Sequence, residues 1–177
     1  LAILLSMVVR VRLRDMPLER DEGEYAYAGQ LLLQGVPPYQ AAYNMKLPGT
    51  YAAYALIMAV FGQTPTGIHL GLALVNAATI WLMFLLGRKL LDEAAGAAAA
   101  VAYALMSLSP NVLGLAGHAT HFVVLPALGG ILLLLSAGVA LVWANSPAAH
   151  SYHALSEFAV GPEAWHLHLS LSAWAAD

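Results

Sequence analysis

Residues 66–87 read TGIHLGLALVNAATIWLMFLLG and are closed by Arg88-Lys89. The stretch contains no Asp, Glu, Lys or Arg, and about 20 apolar residues suffice to cross the hydrocarbon of a bilayer. The pattern extends outward on both sides. No Asp, Glu, Lys or Arg occurs between Lys46 and Arg88, and none between Glu93 and Glu157. Over all 177 residues, 60% are hydrophobic, only 10% are charged, and the mean hydropathy is +0.71. A water-facing domain carries roughly 25% charged residues. The chain therefore reads as an integral membrane protein, all-α, a multi-pass bundle of transmembrane helices. A soluble globular enzyme and a disordered tail are excluded. So is a nucleic-acid binder, since 7 Lys and Arg against 10 Asp and Glu form no basic patch. The absence of Cys removes disulfides, thiol catalysis and Cys-based zinc sites.

Working outward, the spacing predicts membrane segments at about 1–9, 47–61, 66–87, 94–108 and 118–143, with a loop over 10–46. Residues 1–143 form one membrane part on this reading, and 144–177 a tail of unclear structure to which no membrane role is assigned. The first segment opens already apolar, without Met and with its positive residues after the apolar run. That is not a signal peptide, and it reads as a piece of a longer protein. In the loop, Asp21 is expected to cap a helix over Glu22 to Gln34, ended by Gly35 and Pro37-Pro38. The tail alternates apolar and polar residues from Trp165 to Ser172, as a strand or interfacial segment does.

Ionisable groups mark the candidate chemistry. Glu19, Asp21, Glu22 and Glu24 crowd one short stretch beside a wholly apolar body, where a carboxylate is placed to take a proton from a hydroxyl. The plain alternative is a solvated acidic loop. His118 and His121 share a helix face and suit hydrogen bonding to a polar ligand, or satisfy backbone groups at a membrane boundary. They would hold a divalent metal only with a carboxylate added, so no cofactor or metal is assigned. His69 and Asn76, seven apart in the 66–87 segment, read as interhelical hydrogen-bonding residues, and Arg10, Arg12 and Arg14 as headgroup anchors. The pairs His150/His153 and His166/His168 have metal-like spacing but no carboxylate at a fixed offset.

Three stretches add a resemblance: Leu18-Glu19-Arg20-Asp21-Glu22-Gly23-Glu24-Tyr25-Ala26-Tyr27, then Gly35-Val36-Pro37-Pro38-Tyr39, then Tyr43-Asn44-Met45-Lys46-Leu47-Pro48-Gly49. Together they resemble the first loop of the membrane-embedded C-type glycosyltransferases, which include the family 39 protein mannosyltransferases and the lipid A aminoarabinose transferases. The resemblance fades near Trp143, after about four-fifths of the chain. It implies a C-type glycosyltransferase fold, of which this chain is the N-terminal portion with a short extramembrane acidic loop. It implies inverting transfer of a sugar from a polyprenyl-phosphate donor to a lipid, glycan or protein hydroxyl, at the extracytoplasmic face of the plasma membrane. Asp21 matches that family's general base and Glu22 its acidic neighbour. Lys46 matches the basic residue facing the lipid phosphate, with Glu24, His118 and His121 in substrate-binding positions. Relatives usually carry an acidic residue near His121, so that position departs from the pattern. On this reading the full-length protein is the enzyme and the fragment alone is inactive.

The alternative is a non-catalytic multi-pass membrane module, a transporter or a scaffold subunit. The segments carry few ionisable residues, whereas ion-coupled transporters usually place them within spans. Topology gives one more expectation. Residues 47–61 reach only about 22 Å as a helix, short of a roughly 30 Å core. If that segment does not cross, Asp21, Lys46 and His121 converge on one side and Arg88 lies on the other.

Overall fold

The computed structural model describes residues 1–43, 45–160 and 169–176. It is helical through most of this length: α1 Ala2–Arg12, α2 Arg20–Leu33, α3 Pro48–Phe61, α4 Pro65–Leu90, α5 Glu93–Met106, α6 Ala119–Ala144, α7 Ala149–Ser156 and α8 Leu171–Ala176. A single 3₁₀ turn, Pro110–Val112, precedes α6, and a two-stranded antiparallel pair links β1 Ala159–Val160 to β2 Leu169–Ser170. The chain divides into two compact units, Leu1–Gly129 and Gly130–Asp177.

Local chemistry sets the helix starts. Thr64 caps α4, its hydroxyl accepting the Gly67 N–H at 3.1 Å, and Pro65 supplies a first residue whose missing N–H costs nothing there. Asp92 caps α5 by accepting the Ala95 N–H at 2.7 Å. At α2 the expectation was Asp21, and the structure corrects it. Glu19 is the cap, accepting the Asp21 N–H at 2.8 Å, while the Glu22 carboxylate accepts the Glu19 N–H at 2.9 Å. This reciprocal capping box satisfies two otherwise unpaired donors and starts the helix at Arg20. Gly35, at φ +80°, then turns the chain out of α2.

In the first unit α4 is the hub, packed on α1, α3 and α5. Its contact with α5 is close because the facing residues are small: Gly96, Ala100 and Ala104 recur every fourth position on the buried face of α5. A Cβ on Gly96 would stand 2.6 Å from the Phe84 carbonyl oxygen and 2.7 Å from the Arg88 nitrogen, both on α4. Around α2 and α3 the core is aromatic. Tyr25 meets Tyr54 edge-on at 5.6 Å and Tyr51 at 6.3 Å, with Ile68 and Met58 closing the cluster.

Among the described residues, α4 and α6 are the two helices long and apolar enough to cross a membrane. Each has 26 residues, which at 1.5 Å per residue span about 39 Å. The apolar helices α3 and α5 have 14 residues each, reaching about 21 Å. Large apolar side chains on α6, among them Val123, Leu133, Leu134 and Leu141, are exposed, as they are on a lipid-facing helix.

In the second unit, Trp143 near the end of α6 donates its indole N–H to Ser151 Oγ at 3.0 Å and meets Tyr152 edge-on at 5.9 Å. Ala159 pairs with Ser170 and Val160 with Leu169. Of the alternating stretch expected from Trp165 to Ser172, residues 165–168, including His166, lie outside the described residues. Leu169 and Ser170 are strand and Leu171 already begins α8.

Candidate functional site

A buried polar seam runs through the first unit between apolar helices. Ser6 of α1 donates its hydroxyl to Asn76 Oδ1 of α4 at 2.9 Å, and Ser107 approaches the same oxygen at 3.4 Å. Arg10, only 5% exposed, donates from Nη2 to the carbonyls of Ser107 at 2.8 Å and Gly114 at 2.7 Å. Arg10 was expected to anchor headgroups. Instead it ties α1 to the segment between α5 and α6, because two free carbonyls at the α5 exit need a donor inside the protein.

Glu22 sits next along the seam and is 2% exposed. Its Oε1 accepts the Gly117 N–H at 2.5 Å, its Oε2 accepts the Glu19 N–H, and Oε1 lies 3.4 Å from His69 Nε2. On the far side of the ring, His69 Nδ1 donates to the Arg14 carbonyl at 2.8 Å. Burial pushes the Glu22 carboxyl up. The His69 contact and the two backbone N–H groups more than offset that, so its pKa lies below the ordinary carboxylate value. Tyr54 donates its hydroxyl to the Gly117 carbonyl at 2.6 Å. Gly117 is thus held from both sides, and a Cβ there would collide with the Tyr54 hydroxyl oxygen.

The structure brings some of the sequence-derived candidates together. Asp21 Oδ2 lies 3.7 Å from His118 Nε2, and Asp21 Oδ1 also meets the exposed Arg20 guanidinium at 3.2 Å. His121 follows one turn on, its N–H donating to the His118 carbonyl. Lys46 joins this end through aromatic rings: the hydroxyls of Tyr39 and Tyr51 donate to its carbonyl at 2.7 and 3.3 Å, and Tyr51 packs on Tyr25 of α2. Glu24 points outward and is exposed. Arg88 is remote, about 29 Å along α4 from His69. Among the described residues, no three His, Asp or Glu side chains are grouped to hold a metal. Sequence reasoning placed His69 and Asn76 at helix contacts but did not join His69 to Glu22, nor foresee Gly117 and Tyr54 as their neighbours. The available signal was His69 itself, the lone ionisable side chain within residues 66–87.

Comparison with known proteins redirects the functional reading. A family model described as "Na+/H+ antiporter 1" matches residues 120–177. Curated relatives agree. The chain is 59% identical over 49 residues to a Na(+)/H(+) antiporter NhaA of Arthrobacter sp., covering 28% of this chain and 11% of that protein. It is 59% identical over 51 residues to Na(+)/H(+) antiporter NhaA 1/4 of Streptomyces coelicolor, covering 29% and 12%. It is 49% identical over 69 residues to Na(+)/H(+) antiporter NhaA 1 of Clavibacter michiganensis, covering 39% and 16%. The chain thus spans 11–16% of the length of these relatives. No solved structure matches.

These matches overturn the glycosyltransferase reading. The proteins that this chain resembles are antiporters, so the C-type glycosyltransferase family, the enzyme assignment, and the polyprenyl-phosphate donor with its hydroxyl acceptor are withdrawn. With them goes the basis for Asp21 as a general base and for an extracytoplasmic active loop. The physical reason is visible in α2. An acidic run before a helix is what a capping box and a buried interhelical acceptor require, and Glu19 and Glu22 serve those ends here. The transporter alternative fits the matches better.

Proposed function

We propose that this chain contributes a membrane-embedded part of a sodium–proton antiporter, with residues 120–177 as the stretch equivalent to its relatives. The observation that carries this reading is the 59% identity to named antiporters, together with the match of the family model to residues 120–177. The matched stretch contains nearly all of α6, which is long and apolar enough to cross a membrane. It also contains the turn after α6, where Trp143, Ser151 and Tyr152 fasten the helix end to α7. Indole and phenol rings of that kind suit the boundary between lipid and water.

The test is a transplant. Residues 120–177 replace the equivalent stretch in the Arthrobacter antiporter, and the hybrid is expressed in cells lacking their own sodium–proton exchange. Growth in high sodium, and sodium-driven proton movement in everted vesicles, are expected to persist. A hybrid that reaches the membrane at normal abundance yet moves no protons on sodium addition overturns the proposal.

A further inference from the structure

The Glu22–His69 contact has a proton requirement of its own. The Arg14 carbonyl can only accept, so the His69 Nδ1 at 2.8 Å carries a hydrogen. A neutral ring would then turn a bare lone pair at Nε2 toward Glu22 Oε1, 3.4 Å away, setting two acceptors face to face. One proton between them removes the conflict. Glu22 already accepts two backbone N–H groups, which favours its ionised form and leaves that proton on the imidazole.

A second observation points to a ligand beside the pair. A water-sized cavity is lined by Arg10, Leu13, Met16, His69 and Leu115. Arg10 Nε is buried without a hydrogen-bond partner, and His69 Nε2, likewise buried, has only its long 3.4 Å approach to Glu22 Oε1. Their residues are 5% and 6% exposed. A buried donor left unpaired is costly, and one water accepting from the two nitrogens removes that cost.

We propose that Glu22 and His69 form a buried proton-binding site, with a single water between Arg10 and His69 as the partner through which the proton exchanges. On release, the Nε2–H bond breaks and its electron pair stays on Nε2. An O–H bond forms on the water, which passes a proton on to solvent. Other ionisable groups at this end are Glu19, the cap of α2, Asp21 and Arg20 within α2, Asp15 against Thr66 at the start of α4, His118 before α6 and His121 within it, with Tyr54 of α3 hydrogen-bonded to Gly117. The site lies outside residues 120–177 and does not depend on the antiport proposal.

The test uses the whole chain in lipid nanodiscs. Nitrogen-15 spectra of the wild type are expected to show both His69 ring nitrogens protonated at neutral pH, with Nε2 in exchange with water. Infrared spectra with labelled Glu, assigned by loss of the band in Glu22→Gln, then follow the Glu22 acid carbonyl. In a folded His69→Gln variant that band is expected to titrate at least about one pH unit higher than in the wild type, as a carboxylate does on losing a neighbouring cation. A wild-type His69 protonated only at Nδ1 beside an ionised Glu22 overturns the proposal without any variant. An unchanged Glu22 titration in His69→Gln overturns it as well.

Discussion

Glu22 is a carboxylate with almost no contact with water, and each of its oxygens is engaged. Its pKa lies below the ordinary value, burial being outweighed by His69 and two backbone donors. The sign of the linkage follows. A carboxyl whose folded pKa is depressed adds stability that is fully present above its unfolded pKa and is lost as pH falls through the folded one. Thermal unfolding of the detergent-solubilised chain, followed by Trp fluorescence, should therefore show a falling midpoint from about pH 5 downward. Glu22→Gln should be less stable than wild type at neutral pH, and the gap should narrow in acid. A gap that does not change between neutral pH and acid would show that the Glu22 charge plays no part in holding α2 to its neighbours.

At the scale of elements, the α4–α5 contact depends on the absence of side chains. Gly96 brings the backbones of the two helices together, with the Phe84 carbonyl and Arg88 nitrogen inside the space a Cβ would need. Neither atom can move as a flexible side chain would. Gly96→Ala should destabilise by about 1–3 kcal/mol as the helices are forced apart, despite the better helix propensity of Ala. Gly129→Ala on α6, where nothing lies within 4 Å of the new methyl, is the control and should be neutral or slightly stabilising. Chemical denaturation monitored by circular dichroism distinguishes the two. Equal midpoints for both variants would contradict the packing described.

For the whole molecule, the consequence to test is which helices cross. The chain has no Cys, so single cysteines report without background. Gln63, just before α4, and Glu93, just after it, bracket a helix of about 39 Å, more than the roughly 30 Å hydrocarbon core. Gln63→Cys and Glu93→Cys should be labelled by a membrane-impermeant maleimide from opposite faces of sealed vesicles. Asp15 already places the start of α4 with the loop, since its Oδ1 accepts the Thr66 hydroxyl at 2.7 Å. Asp15→Cys should accordingly label from the same face as Gln63→Cys. Labelling of all three from one face would remove α4 from the membrane.

Charge-free apolar runs were enough for the sequence alone to determine an all-α membrane protein, because the length of apolar chain needed to cross a bilayer is a local property. The polar seam was not legible in the same way. Glu22 and His69 are far apart in the chain, as are Glu22 and Gly117, and nothing in the spacing of either says that they meet. Burial decides their chemistry: a carboxylate that reads as a solvated loop charge becomes a paired, backbone-bonded group once α4 and the segment before α6 close over it. Only the tertiary structure brings Arg10, Glu22 and His69 into one seam, since their contacts are made between helices, where local sequence exerts no constraint.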